Sequence, residues 1–247
     1  MLCKVAERRP FLWPMSKHTH NSGLARPLKR DILQRAHETC GTLSQPSKMP
    51  CFGFSLPAQR CQVGGKLQSV KNSTCFKCYA LKGNYLRGNV RNALELRYSK
   101  LMQAQASGKL DQWAEQMAAQ INACEKSGFF RWHDSGDIQS AAHLLAIFKA
   151  CELTPHIKHW LPTRELKHTR EALAARKKPS NLTIRLSALK REFPPSAAVA
   201  EKLGVQTSTV SWTDSGATCG ANKNGGECGE CRACWAPTVA NVDYPLH

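Results

Sequence analysis

Long apolar runs are missing from this chain. None of its hydrophobic stretches approaches the ~20 residues that a membrane-crossing helix requires, so no transmembrane span is expected. A secretory signal is not expected either. Phe11-Leu12-Trp13 is bracketed by Pro10 and Pro14, and no apolar core of signal-peptide length follows. No G-x-x-x-x-G-K-[ST], H-E-x-x-H or G-x-S-x-G occurs, which sets aside P-loop, zincin and α/β-hydrolase chemistry. Repeats and low-complexity tracts are absent as well. Acidic residues are scarce, with 18 Asp and Glu against 35 Lys and Arg, so the formal net charge is +17. That charge suits nucleic acid or another polyanion, or else reflects solvated lysines on scattered helices. Basic residues gather between Arg164 and Arg191, including Arg176-Lys177-Lys178, without a recognised motif of aromatic stacking residues.

Cysteine is what the chain has in quantity, 12 in 247 residues. Cys219, Cys228, Cys231 and Cys234 crowd near the C-terminus, the last three as C-x2-C-x2-C. That spacing bends the chain around three corners of an inorganic cluster, and a more distant thiolate closes the fourth. A single zinc, the alternative, more often takes two separated C-x2-C pairs. A disulfide framework suits small secreted chains instead. With export unexpected, the thiols point to a reducing cytoplasm and to metal. A second group comprises Cys51, Cys61, Cys75 and Cys78, and its C-x2-C end alone would equally suit a zinc knuckle or a redox dithiol. Cys124 and Cys151 continue helical apolar patterns and read as small core residues. Cys3 and Cys40 stand in a segment with no clear assignment.

Three regions follow from the patterning. Residues 1–48, basic and punctuated by Pro10, Pro14, Pro27 and Pro46, read as an N-terminal appendage, partly disordered, with one short helix at 27–38. Residues 49–214 read as one α/β domain, and residues 215–247 as a cysteine-rich, cluster-binding tail packed on it. Within the domain, helical patterns at 90–105 and 110–126 precede an alternation of strands and helices. Strands fall at 129–133, 157–162, 182–186 and 205–212, with helices at 140–151, 166–176 and 196–203 between them. Such alternation predicts a partial (β/α) barrel or an open, mainly parallel sheet.

Polar residues cluster where these strands end. His133, Asp134, Ser135 and Asp137 follow the first, and Thr163, Arg164 and Glu165 the second. Arg185 and Ser187 lie at the third, with Thr207 to Ser211 along the last. The carboxyl ends of parallel strands converge on one functional face, although Ser135, Asp137 or Thr163 alone would serve as a helix cap. The expected site therefore contains His133, Asp134, Asp137, Arg164 and Glu165 as catalytic groups, with Arg185 and Ser187 contacting a cofactor.

Several blocks together carry a family resemblance: Lys48-Met-Pro50, Cys75-x2-Cys78-Tyr-Ala-Leu-Lys-Gly83, Phe130-Arg-Trp-His-Asp-Ser-Gly-Asp137, Trp160-Leu-Pro-Thr-Arg-Glu165 and Cys228-Gly-x-Cys231-Arg-Ala-Cys234-Trp235. In this order they resemble the phage gene product 88 family, from about residue 47 onward. The resemblance implies a viral protein acting in the host bacterial cytoplasm and supplies no activity. Cys61, Cys75, Cys78, Cys219, Cys228, Cys231 and Cys234 match its pattern, whereas Cys51 falls where cysteine is not required. A second resemblance concerns mechanism. Three cysteines ahead of a β/α barrel, ending in Cys-Tyr-Ala, are similar to radical S-adenosylmethionine enzymes, although their usual C-x3-C-x2-C would place cysteine where Lys71 stands. It implies a 4Fe-4S cluster with one iron open to S-adenosylmethionine, and an auxiliary cluster in the tail. The competing expectation is a non-catalytic iron–sulfur or zinc protein whose basic surface binds nucleic acid or a host protein. Oligomeric state is left open.

Overall fold

The computed structural model describes residues 26–211 and 219–245. Cys3, most of the N-terminal appendage and the expected strand end at Trp212 lie outside the described residues. Six strands form one sheet: β1 Gly53–Phe54, β2 Phe129–Trp132, β3 Lys158–Thr163, β4 Leu182–Ser187, β5 Gln206–Ser211 and β6 Asn241–Pro245. All neighbours are parallel, and their order in space repeats their order in the chain. The sheet is open. Each crossover therefore steps one strand in the same direction, and a consistent hand of crossover keeps the connecting helices on one face.

The helices are α1 Arg26–Thr39, α2 Val63–Leu67, α3 Gly88–Ala106, α4 Leu110–Cys124, α5 Ala141–Glu152, α6 Leu166–Ala175 and α7 Ala197–Leu203, and all but the short α2 contribute to the helix-side core. Apolar positions at helical spacing make α4 one-sided, with Trp113, Met117 and Ile121 fully buried. α5 starts on the hydroxyl of Ser140, which accepts the His143 N–H at 3.0 Å. Helix α1 belongs to this layer, since it packs on α4 and places Ala36 and Cys40 in the core. Residues 26–48, read from sequence as part of an appendage, thus include an element of the packed fold. Cys151 is fully buried as expected, whereas Cys124 ends α4 half-buried.

Strand periodicity of two separates the faces of the sheet. Phe130, Trp132, Leu161, Leu182, Ile184 and Leu186 point into the large helix-side core. The residues between them, including Arg131, Trp160, Thr183 and Arg185, face the other way. There a smaller cluster gathers Cys51, Trp160, Cys234, Trp235 and Val242. Two strands of the sheet went unseen in the sequence: β1 is only two residues long, and β6 closes the cysteine-rich tail by pairing with β5.

The helix-side core holds a buried imidazole, His159, hydrogen-bonded to the Thr154 hydroxyl at 2.8 Å. Burial holds it near pKa 3 against an ordinary 6.5. The unfolded chain therefore binds the extra proton between those values, and stability present at neutral pH is lost as pH falls from 6.5 towards 3. This group alone is expected to cost about tenfold in the folding constant per pH unit over that window. Urea titrations at pH 7 and 5 check it, with His159→Gln removing about one proton's worth of the pH slope.

Candidate functional site

The carboxyl ends of the strands open onto a cavity of about 310 Å3. The first wall is built by the chain between β1 and α3. After β1 it passes through Ser55, Leu56 and a short 3-10 turn to Cys61, and then into α2. Glu165 holds this turn by accepting the Val63 N–H at 2.8 Å, while Gln62 donates to the Gln139 carbonyl at 2.7 Å. Gly64 faces the thiols. A Cβ there would stand 3.3 Å from the Cys75 sulfur and 3.2 Å from the Cys61 Cβ. Thr74 fixes the next stretch by donating to the Ala188 carbonyl at 2.6 Å and accepting from Arg164 Nε at 3.0 Å. Cys75 and Cys78 follow directly, and their sulfurs join that of Cys61 on the cavity wall.

The floor is the segment after β2. Gly136 has φ +76° and lies against Leu56, which exchanges two hydrogen bonds with Ser135: N–H to carbonyl at 3.0 Å, and hydroxyl to carbonyl at 2.7 Å. A Cβ on Gly136 would stand 2.6 Å from Leu56 Cβ and 2.7 Å from its carbonyl oxygen. Gly136→Ala is therefore expected to cost roughly 2–5 kcal/mol, combining left-handed strain with overpacking. Urea denaturation measures it.

Asp137 is buried and accepts from Thr163 Oγ1 at 2.6 Å, from Ile138 N–H at 2.8 Å and from Arg164 N–H at 2.9 Å. Burial pushes its pKa up to about 6 despite those bonds, and Glu165 adds to the rise. His133 adopts φ +53°, and both of its ring nitrogens are buried without a partner. Burial, and then the nearby Arg131, hold its pKa near 3, so the ring is neutral at pH 7. Asp134 accepts from the Tyr85 hydroxyl at 2.9 Å through one oxygen, while its other oxygen is buried and unpaired. Its carbonyl accepts from the Tyr79 hydroxyl.

The opposite wall is the cysteine-rich tail. The Cys228 N–H donates to the Lys48 carbonyl at 3.4 Å, and Lys48 Nζ returns to the Gly225 carbonyl at 2.7 Å. The Cys219 N–H donates to the Asp243 carbonyl at 3.1 Å. Cys234 lies 3.2 Å from the Tyr244 hydroxyl. Cys219, Cys228 and Cys234 line the same cavity as Cys61, Cys75 and Cys78, whereas Cys231 is exposed nearby. Burial pushes the Cys61 and Cys75 thiols up and carries Cys234 to about 11; Arg164 opposes the rise at Cys61 and Cys75, and the Tyr244 hydroxyl and then Arg131 oppose it at Cys234. Among the described residues no three Cys, His, Asp or Glu side chains are grouped so as to enclose a metal ion.

Of the residues anticipated from sequence, His133, Asp134, Asp137, Arg164 and Ser187 share the cavity with six cysteines. Glu165 and Arg185 do not line it. Glu165 is buried as the anchor of α2. Arg185 is fully buried and spends its whole guanidinium on carbonyls of Ala233, Cys234, Ala236, Val239 and Thr207, at 2.8–3.1 Å. It has no N–H left for a cofactor, because its task is to hold the tail. Cys51 is buried beside Cys234. Arg131, Trp160, Tyr79 and Tyr244 went unanticipated, though all four line the cavity. Arg131 stacks 4.5 Å from the Trp160 ring centroid, and its Nε is buried without a partner. Period-two alternation along β2 was the signal that placed its side chain on the face opposite Phe130 and Trp132.

The family model of gene product 88 matches residues 22–237. The chain belongs to the gene product 88 family, a family of phage gene products. The match reaches upstream of the similarity noted from motifs, so it takes in α1 as well as both cysteine groups. No curated protein and no solved structure matches the chain. Among the described residues, no helix is long and apolar enough to cross a membrane.

Proposed function

We propose that this protein is an iron–sulfur enzyme that works in the cavity between its two cysteine groups. In this reading Cys61, Cys75 and Cys78 hold a 4Fe-4S cluster with one iron left open, and Cys219, Cys228, Cys231 and Cys234 hold an auxiliary cluster. The observation that carries it is convergence: six thiols from segments more than a hundred residues apart line one cavity, with an arginine beside each group. Three thiols on one wall leave a cluster corner for a ligand, and the donor set is thiolate throughout, as iron–sulfur chemistry asks. Bound clusters of this type supply electrons and an open coordination site.

The chain's own groups have distinct tasks. Buried thiols ionise only against compensating positive charge, and a cluster with three or four thiolates is net negative. Arg164 beside Cys61 and Cys75, and Arg131 beside Cys228, match that sign. Arg131 Nε and the unpaired Asp134 oxygen are orphaned polar atoms beside the cavity. An amino acid-like moiety, as in S-adenosylmethionine, would be held by both, its carboxylate accepting from Arg131 and its neutral amino group donating to Asp134, with the nitrogen lone pair left free for a metal. His133 is neutral, and its ring would offer one N–H donor and one lone pair to a bound ligand.

The test is anaerobic purification with iron and acid-labile sulfide analysis, followed by the paramagnetic spectrum of the reduced protein with and without S-adenosylmethionine. We expect brown protein and a spectrum altered by the ligand. Colourless protein with stoichiometric zinc would overturn the reading, and an unaltered spectrum would remove S-adenosylmethionine from it.

A further inference from the structure

Charge on this protein is distributed unevenly around the cavity. From Thr39 to Leu94 the sequence contains no Asp or Glu, while Lys and Arg recur every few residues. This acid-free stretch supplies the first cavity wall. Between and beside its lining residues stand Lys66, Lys71, Lys77, Lys82 and Arg87, all exposed and none ion-paired among the described residues. The basic run that drew attention in the sequence, residues 164–191, is largely committed elsewhere. Arg164 faces the cavity, Arg176 pairs with Glu152, Lys178 donates to the Leu182 carbonyl at 2.7 Å, and Arg185 is buried.

Exposed apolar residues gather in the same place. Among the described residues, five of the seven large exposed hydrophobics are Val70, Tyr79, Leu86, Leu189 and Phe193. The two loops that carry them are tied together: the Thr74 N–H donates to the Leu189 carbonyl at 3.0 Å, and Ser73 bridges Lys190. Tyr79 joins rim and cavity. The residue lines the cavity and is 60% exposed overall, and its hydroxyl is held by the Asp134 carbonyl. Phe193 is 63% exposed on the neighbouring loop, next to exposed Lys190.

Lysines without acidic partners, interleaved with exposed aromatic rings, are what a single strand of nucleic acid requires. Phosphates take the cations, and bases stack on the rings irrespective of sequence. A duplex would bury its bases away from Tyr79 and Phe193. We infer that this rim binds single-stranded nucleic acid and presents one of its nucleotides to the cavity, making a polynucleotide the substrate. The inference rests on the proposed function only in taking the cavity as the place of reaction.

The experiment is fluorescence anisotropy of the full-length protein with labelled RNA and DNA single strands of about 15 nucleotides, across a salt series. The wild type is expected to bind, with affinity falling steeply as salt rises. Replacing Lys66, Lys71, Lys77 and Lys82 together by Glu should weaken binding at least about tenfold near 0.1 M salt, and flatten the log–log salt slope by about three. Their exposure leaves the melting temperature unchanged. Tyr79→Ala should cost about tenfold while Tyr79→Phe binds like wild type. If Tyr79→Ala fails to fold, Phe193→Ala reads the same stacking.

Lys177→Glu, in the loop after α6, should change nothing. A preference for RNA or for DNA identifies the natural strand. Failure of the wild type to bind overturns the inference, as does unchanged affinity in the four-lysine variant. Competition by duplex DNA as strong as by single strand does so too. Iron and sulfide measured on the same samples keep the two readings apart: cluster without strand binding defeats only this inference, and strand binding without cluster defeats only the proposed function.

Discussion

Arg185→Met is expected to detach the cysteine-rich tail from the sheet. The side chain is fully buried on β4 with no carboxylate near it; five carbonyl oxygens surround it, four of them between Ala233 and Val239. The carbonyls of Ala233 and Ala236 also accept backbone N–H groups at 3.2 Å, but among the described residues no backbone N–H reaches those of Cys234 and Val239, because this stretch is a 3-10 turn and loop rather than a ladder. Methionine fills the volume but offers no donor, so the Cys234 and Val239 carbonyls are left unpaired and the others lose a charge-assisted bond. The cost is expected to exceed about 4 kcal/mol, a large part of a domain's usual 5–15. Lysine is no substitute, since one ammonium cannot reach acceptors spread around a planar fork. Hydrogen exchange separates two outcomes. Selective loss of protection over residues 219–245, with β2 and β3 still protected, is the expected one. Uniform destabilisation of the whole sheet would mean that Arg185 supports β4 rather than the tail.

Arg185 also marks where sequence reading succeeds and where it runs out. Strong periodicity made the helices and strands from α3 to β5 legible, because burial on the helix side demands apolar residues at 3.6 or two-residue spacing. The same alternation put Arg185 at a strand end on the face away from the core. It did not say whether the guanidinium would meet a ligand or the protein's own backbone, since the decisive partners arrive from a tail some fifty residues later. Glu165 is a similar case, with its carboxylate taken by the Val63 N–H. β1 and β6 escaped notice for different reasons. Two residues cannot display a period, and β6 carries polar Asn241 and Asp243 on a lateral strand whose partners are side chains of β5, such as Thr207 and Thr209. The cysteine spacing announced two groups of thiols. That both would line one cavity followed only from the strand order, which carries the β1–α3 segment and the tail to the same sheet face.

The two cysteine groups should separate under mutation, and this is the largest functional effect expected. Cys75→Ser removes a sulfur from a wall already fixed by Glu165 to Val63, Ser73 to Leu67 and Thr74 to Ala188. That wall keeps its shape without a cluster, so Cys75→Ser protein should remain folded and lose about half of its iron and labile sulfide. The change in the reduced spectrum on adding S-adenosylmethionine should vanish altogether, because in the proposed reading this site would hold the open iron. Cys228→Ser acts on a different background. The tail's short turns meet the sheet through Arg185, Thr183 and Trp235, whose indole N–H donates to the Phe130 carbonyl at 2.8 Å. Among the described residues, few hydrogen bonds beyond those of Lys48 and the Cys219 N–H tie residues 219–231 to the rest of the fold. There, on the proposed reading, ligation would contribute to folding itself, so Cys228→Ser should lower the melting temperature and solubility together with iron content. Cys151→Ser, deep in the helix-side core and away from both groups, should leave iron unchanged and cost only modest stability. Equal iron loss and equal destabilisation from Cys75→Ser and Cys228→Ser would instead mean that all the thiols serve one shared centre.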